Sequence, residues 1–452
     1  MKIQLSDHFD YRRLLRFVAP SIIMMVFTSI YGVVDGLFVS NFVGDTAFAA
    51  INLIMPVNTI LGGVGFMLGT GGSALVAVLL GQQNRERANR CFTMMIWASA
   101  IVGLALSAVG LLTIRPVSLL LRATEDMLPY CVTYGSITMA FNVSFMLQYA
   151  FQAFLIAAEK PKLGLWSTVA AGVTNMVFDW LFIAVFQWGV AGAAIATGLS
   201  QCVGAVIPLV YFLRRNSSLL RLTKTRLELK PILKACGNGS SEMVSNATSA
   251  LIGMVYNFQL LHYAGQAGVA SYGVLMYLQF AFVAVFIGYS MGVAPVISYH
   301  YGAENYGELS GLLRKSKTLT FLTGGFMVVA AQALAGPLAQ LFVGYNPELL
   351  QMTVRALRIS TVSFIIVGFN IFASGFFTAL NDGAVSAAIS FLRTFVFKLA
   401  AILLLPLLLK LDGIWLADVA SEIFAFFLSL AFLVAKREKY HYGRPQPPAG
   451  AV

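Results

Sequence analysis

Twelve apolar runs, each long enough to cross a bilayer, follow one another with little chain between them. They lie near 14–40, 47–80, 90–113, 128–157, 163–187, 190–213, 236–262, 268–301, 316–342, 353–380, 384–409 and 413–435. In hydrocarbon every backbone N–H and C=O must be satisfied within its own segment, so such runs fold as helices packed side by side. Only 11% of the residues are charged and mean hydropathy is +0.80, whereas soluble domains carry about 25% charged residues. The expected fold is an all-α polytopic membrane protein. No stretch between the runs is long enough to fold alone.

The net charge of +11 would point to nucleic acid in a soluble chain. Here its distribution explains it. The N-terminus (Lys2, Arg12, Arg13, Arg16), the loop with Arg85, Arg87 and Arg90, the pair Lys160 and Lys162, and the stretch from Arg214 to Lys234 alternate with loops almost free of basic residues. Arg314, Lys315 and Lys317, and the tail with Lys436, Arg437, Lys439 and Arg444, fall on the same side and bring it to 23 of the 30 Lys and Arg. By the positive-inside rule both termini are cytoplasmic. The N-terminal run is too long for a signal peptide and lacks a persuasive cleavage site, so it reads as a retained first helix. The four cysteines (Cys91, Cys131, Cys202, Cys236) form no CxxC pair and read as packing residues. The sequons at Asn142 and Asn246 fall within apolar runs and carry no information there.

The chain repeats itself. Shifted by 221 residues, Gly32, Gly44, Gly71, Gly81 and Asn84 fall on Gly253, Gly265, Gly292, Gly302 and Asn305. The loop LGQQNRERA aligns with YGAENYGEL. GVAGAAIAT at 189–197 aligns with LDGIWLAD near 411–418, with about one residue of slip. Each half has six helices, an even number, so both insert the same way up. The expectation is two six-helix lobes related by a pseudo-two-fold axis along the membrane normal. The lobes span 1–213 and 235–436, joined by a basic cytoplasmic linker at 214–234 and followed by a cytoplasmic tail at 437–452. Two parallel lobes suit a transporter with a central cavity and alternating access. A duplicated channel or membrane enzyme is the alternative, but there is no selectivity-filter motif, HExxH, GxSxG or Walker A lysine. GGVGFMLGTGG lies inside the second run, where its Gly65-xxx-Gly69 spacing favours close helix packing. The chain is therefore not expected to be an enzyme, and uphill transport has to draw on an ion gradient.

Two aspartates sit within the apolar runs: Asp35 in IYGVVDGLFVS and Asp179 in TNMVFDWLFIA. A carboxylate there costs roughly 3 kcal/mol or more, so it usually faces a partner, an ion or an aqueous path. At about 1.5 Å of rise per residue, Asp35 lies about 27 Å and Asp179 about 24 Å from the basic side. Asn175 is one turn from Asp179 on the same face, and Thr197 enters the sixth helix to a similar level. Two carboxyls, an amide and a hydroxyl share one layer. Such a set can hold and release a proton, since burial and a second acid both disfavour the charged form. The same oxygens can instead ligate Na⁺. Gly32 and Gly36 flank Asp35 and allow the first helix to bend.

The C-terminal half carries Glu242, Arg393, Lys398, Asp418 and Glu422 in its runs. Similar estimated depths pair Lys398 with Glu422 and Arg393 with Glu242, as structural ion pairs. The chain contains 35 Phe, 17 Tyr and 17 Met. Aromatic faces attract organic cations, and methionine adapts to varied shapes. Tyr256, Gln259, Tyr277, Phe280, Asn370 and Phe376 are the candidate substrate contacts.

The pattern SIYGVVDGLFVSNFVG, the repeated LGQQN-type loop, N-x-x-x-D in the fifth helix and GVAGAAIAT in the sixth resemble the multidrug and toxic compound extrusion (MATE) family, in particular its small bacterial members of the MepA kind. The resemblance covers essentially the whole chain. It implies a multi-pass protein of the bacterial cytoplasmic (inner) membrane, monomeric and without cofactor. Such a protein exports cationic, amphipathic compounds in exchange for H⁺ or Na⁺. In related members an aspartate of helix 1, Asn and Asp of helix 5 and Thr of helix 6 form the cation site, and those motif positions are Asp35, Asn175, Asp179 and Thr197 here. Some members carry a cation-site acid in helix 10. None stands in ISTVSFIIVGFNIFASGFFTAL, so no second cation site is expected. Implied partners are small organic cations and the lipid bilayer, with no nucleic acid. A flippase for a lipid-linked precursor shares the duplicated layout, but a phosphate-bearing lipid calls for arginines in the cavity.

Overall fold

The computed structural model describes residues 3–443; Lys2, Arg444 and the remainder of the expected tail lie outside the described residues. The N-terminal lobe contains α1 (Tyr11–Phe42), α2 (Asp45–Gly81), α3 (Arg85–Leu120), α4 (Leu128–Ala140), α5 (Asn142–Ala157), α6 (Pro161–Asp179) and α7 (Gly189–Leu213). The C-terminal lobe contains α8 (Leu229–Gly302), α9 (Tyr306–Val343), α10 (Pro347–Ser360), α11 (Phe364–Ala379), α12 (Gly383–Phe391), α13 (Lys398–Leu409) and α14 (Leu411–Ala435).

Among the described residues ten helical spans are long and apolar enough to cross a membrane, and the α4–α5 pair, bent by 53°, makes another. The 74 residues of α8 count once there, but they hold two spans. The chain turns at Gly265, whose φ of 59° and ψ of −149° are open to glycine and strained for any other residue. Both ends of α8 then return to the same half of α2: Ala235 packs on Gly71, and Tyr299 on Gly81. The twelve spans of the sequence reading are thus present. Exposed apolar side chains such as Leu112, Phe326 and Leu408 cover the outside, as a lipid-facing surface requires.

The duplication is written in the backbone. Left-handed residues recur at nearly constant offset: Gly44 with Gly265, Gln83 with Glu304, Glu159 with Asn381, and Gly189 with Lys410. Asn84 and Asn305 each accept a hydrogen bond from the backbone N–H three residues on and so start α3 and α9 alike. The lobe contacts are reciprocal as well. A Cβ on Gly81 would come within 2.1 Å of the Tyr299 carbonyl oxygen, and one on Gly302 within 2.2 Å of the Val78 carbonyl oxygen. Val78 and Tyr299 are themselves repeat-related, as a pseudo-two-fold axis between the lobes demands.

These glycines let the α2 and α8 backbones touch without intervening side chains. They lie in the half of the molecule that holds the termini, and there the lobes are closed. Leu5 and Phe9 of the N-terminal segment are fully buried in that closure. The Leu5 N–H donates to Glu159 of one lobe at 2.8 Å, and the Phe9 N–H to Glu308 of the other at 2.9 Å. In the opposite half Gly32, Gly36, Gly253 and Gly273 have no neighbouring atom where a Cβ would stand, so these helix faces are open. Gly81→Val is expected to force the closed end apart, at a cost of about 1–3 kcal/mol by overpacking. A lowered thermal midpoint and increased labelling of a cysteine placed at Phe9 would report it.

The non-helical connection between the lobes is shorter than the expected 214–234. Helix α8 already begins at Leu229, because Pro231 falls in its first turn, where a missing N–H costs nothing. Residues 214–228 lie along α3 instead of hanging free. The Arg221 N–H donates to Asn89 at 2.9 Å, the Thr223 N–H to Thr93 at 3.0 Å, and Arg85 donates to the Leu219 carbonyl at 3.1 Å.

Candidate functional site

Helix α1 packs on α6, and α6 on α7. That packing brings the four polar residues of the N-terminal lobe together. Asp35 of α1 lies against Asp179 and Asn175 of α6. Asp35, Asn175 and Thr197 of α7 line a cavity of about 50 Å³, with Thr28, Gln148 and Ser200 among its other walls. A single water needs roughly 10–15 Å³ of such space, so the cavity holds a few waters or a small cation with part of its hydration. Asp179 stands behind this cavity with no exposed surface. It is the last α-helical residue of its segment, and the chain continues as a π turn over Trp180–Val185.

The electrostatics of the cluster are one-sided. Asp35 Oδ1, Asn175 Oδ1, Asp179 Oδ1 and Oδ2, and Thr197 Oγ1 are buried without a hydrogen-bond partner among the described residues. The ion pairs of the described residues lie elsewhere. Buried oxygens are normally satisfied by donors. Five unsatisfied oxygens around two carboxyls form a set that a proton or a hard cation completes. Among the described residues no additional His, Cys, Asp or Glu joins them in a metal-binding group.

Most of the other lining residues are not among the candidates read from the sequence, and two amides stand out. Gln148 and Gln152 of α5 line the cavity; Gln152 donates to Thr168 at 3.1 Å and leaves its own Oε1 unpaired. Their signal was available: two amides four residues apart share one helix face inside an apolar run.

The C-terminal lobe corrects the expected ion pairs. Lys398 pairs with Asp418 at 2.9 Å, not with Glu422. Arg393 pairs with both oxygens of Glu422 at 2.9 Å, not with Glu242. Glu242 is within electrostatic reach of Arg393 but forms no ion pair with it. A π turn over Leu392–Phe397 covers the five-residue step from Arg393 to Lys398 and sets both basic residues on one face. Five residues close a π turn and four an α turn. Arg393 and Lys398 therefore form two rungs that match Glu422 and Asp418 in order.

Three substrate candidates are engaged elsewhere in this conformation. The Tyr256 hydroxyl donates to Asp418 at 2.9 Å and the Asn370 amide to Glu422 at 2.7 Å. Phe376 is fully buried, packed on Phe372, Phe377 and Tyr442, so its expected contact with substrate does not hold in this state. Tyr277 and Phe280 are exposed, and Gln259 is half-buried.

The MatE family model matches residues 20–181 and 242–403, one copy in each lobe and most of the chain. The chain belongs to the MatE family. Among MatE relatives, the multidrug export protein MepA of Staphylococcus haemolyticus is 23% identical over 439 residues, covering 95% of this chain and 94% of the relative. MepA of Staphylococcus aureus strain MSSA476 is 23% identical over 380 residues, 82% of either chain. Solved MATE structures share the fold. A multidrug resistance MATE transporter of the MOP superfamily in its outward-facing conformation superposes with a TM-score of 0.91 at 20% identity, over 97% of this chain and 98% of that one. A mutant of the Vibrio cholerae MATE transporter VcmN gives 0.88 at 23% identity, over 96% and 98%. As a MatE member the chain is a transporter and not an enzyme.

Proposed function

We propose that this MatE protein is a secondary active multidrug antiporter. It exports cationic, amphipathic compounds in exchange for H⁺ or Na⁺ bound by Asp35, Asn175, Asp179 and Thr197. The observation that carries this reading is the convergence of five donor-less oxygens around two carboxyls that have no basic partner among the described residues. Two such carboxyls repel each other when both are charged, and a cation between them relieves the repulsion. The names of the MepA relatives support the multidrug assignment.

With the termini in the cytoplasm, as the basic loops indicate, the closed half of the molecule faces inward and the open half outward. A cation entering from outside neutralises the two acids. Helix α1, with Pro20 inside it and open space around Gly32 and Gly36, then shifts and loosens the bound drug. Tyr277, Phe280 and Gln259 are the proposed contacts for that drug in this state. One cation exchanged for a singly charged drug moves no net charge, so the ion's own concentration gradient drives that step. Each further cation per drug adds about 2.3 kcal/mol at 100 mV, a concentration ratio approaching fifty at RT of about 0.59 kcal/mol. A flippase reading is weaker, since Arg393 is committed to Glu422 and is not free for a lipid phosphate.

Ethidium uptake into everted vesicles or proteoliposomes, under imposed H⁺ or Na⁺ gradients, tests the proposal. Transport that follows one of the two gradients is expected. A protein that moves no organic cation under either gradient, yet scrambles a lipid-linked probe, is a flippase instead.

A further inference from the structure

The repeat relates the cation site of the N-terminal lobe to the Lys398 network of the C-terminal lobe. The offset of 221 that carries Gly44 onto Gly265, and Gly189 onto Lys410, also carries Asp35 onto Tyr256 and Thr197 onto Asp418. The third helix of the set starts at Pro161 in one lobe and Gly383 in the other, an offset of 222. In the C-terminal lobe a π turn precedes the polar level and inserts one residue. In the N-terminal lobe the π turn comes after Asp179. Lys398 therefore reaches the level of Asn175.

The two repeat-related positions differ in residue type and in how their oxygens are satisfied. In the N-terminal lobe Asp35 Oδ1, Asn175 Oδ1, both Asp179 oxygens and Thr197 Oγ1 are unpaired among the described residues. In the C-terminal lobe both oxygens of Asp418 are satisfied: Oδ1 by Lys398 Nζ at 2.9 Å and the Tyr256 hydroxyl at 2.9 Å, Oδ2 by Gln279 at 2.7 Å. Asp418 is buried and Lys398 largely so.

We infer that the C-terminal lobe keeps a vestigial cation site permanently filled by the ammonium of Lys398. The tethered charge stands where a free monovalent cation would otherwise bind, so only the N-terminal site exchanges ions during the cycle. Lys398 is in this sense a positioning residue that sets the number of coupling cations. The inference rests on the proposed N-terminal site and adds what its repeat partner does.

The site should accept a small monovalent cation once the tether is cut. The test uses purified protein in the Asp35→Asn/Asp179→Asn background, which silences the N-terminal site. Thermal midpoints are compared in methylammonium, sodium and choline chloride at equal ionic strength. With Lys398 in place, no cation-specific shift is expected. With Lys398→Ala added, a concentration-dependent rise in methylammonium or sodium over choline is expected, and Asp418→Asn should abolish it. If Lys398→Ala fails to fold in choline, folding restored by methylammonium supports the inference, and failure in every cation overturns it. It is equally overturned by no response in the Lys398→Ala protein, by a response that survives Asp418→Asn, or by a sodium response while Lys398 is intact. Ion-driven efflux, not this melting response, reports on the N-terminal assignment, so the two can fail separately.

Discussion

Asp35→Asn and Asp179→Asn are each expected to give a folded protein whose ion-driven efflux falls by more than about tenfold, a loss of at least 1.4 kcal/mol of coupling. Fold is retained because an amide keeps the contact of Asp35 with Asn175 and Asp179, and both Asp179 oxygens and Asp35 Oδ1 have no hydrogen-bond partner to lose among the described residues. An amide is close in shape and removes a charge that lipid penalises. The thermal midpoint should therefore stay level or rise while transport is lost, as expected where stability has been given up for function. Uptake of ethidium into everted vesicles, set beside a melting curve of the same variant, checks both halves. A variant that melts early instead would make the acids structural.

The second large effect is of the opposite kind. Arg393→Leu strands Glu422, which is buried and already bonded to Asn370. Removing one member of a buried pair typically costs about 3–5 kcal/mol, whereas replacing both by apolar residues is often neutral. Arg393→Leu alone should therefore unfold or strongly destabilise the protein, and the double variant Arg393→Leu/Glu422→Leu should recover most of that loss. Detergent melting and membrane yield separate the two cases. If the double variant is as unstable as the single one, the pair contributes more than mutual neutralisation.

These contrasts also explain what was legible in the sequence. Span number, duplication and the acidic layer follow from hydropathy and spacing, and both are local properties. The level shared by Asp35, Asn175, Asp179 and Thr197 could be counted because α1 and α7 are unbroken and α6 stays α-helical as far as Asp179. The same count slipped in the C-terminal lobe, where the π turn at Leu392–Phe397 rotates everything beyond it. No residue type in LRTFVF marks such a turn, and Arg393 takes Glu422, the partner expected for Lys398, while Lys398 takes Asp418. The bend at Phe141 between α4 and α5 is likewise silent in an apolar run. Phe376 illustrates a different limit. Composition identifies an aromatic residue in a span, but only packing decides whether it meets a cavity, lipid or the core.

The account turns on a cation exchanging against drug at Asp35 and Asp179. The direct measurement is the release of that cation from purified protein on addition of tetraphenylphosphonium, followed with a pH electrode in weak buffer and with radioactive sodium. Wild-type protein should release one of the two ions in proportion to the drug bound, and Asp35→Asn/Asp179→Asn should release neither while remaining folded. Release of the same amount by the double variant, or drug binding to wild-type protein with no ion released, would contradict the account.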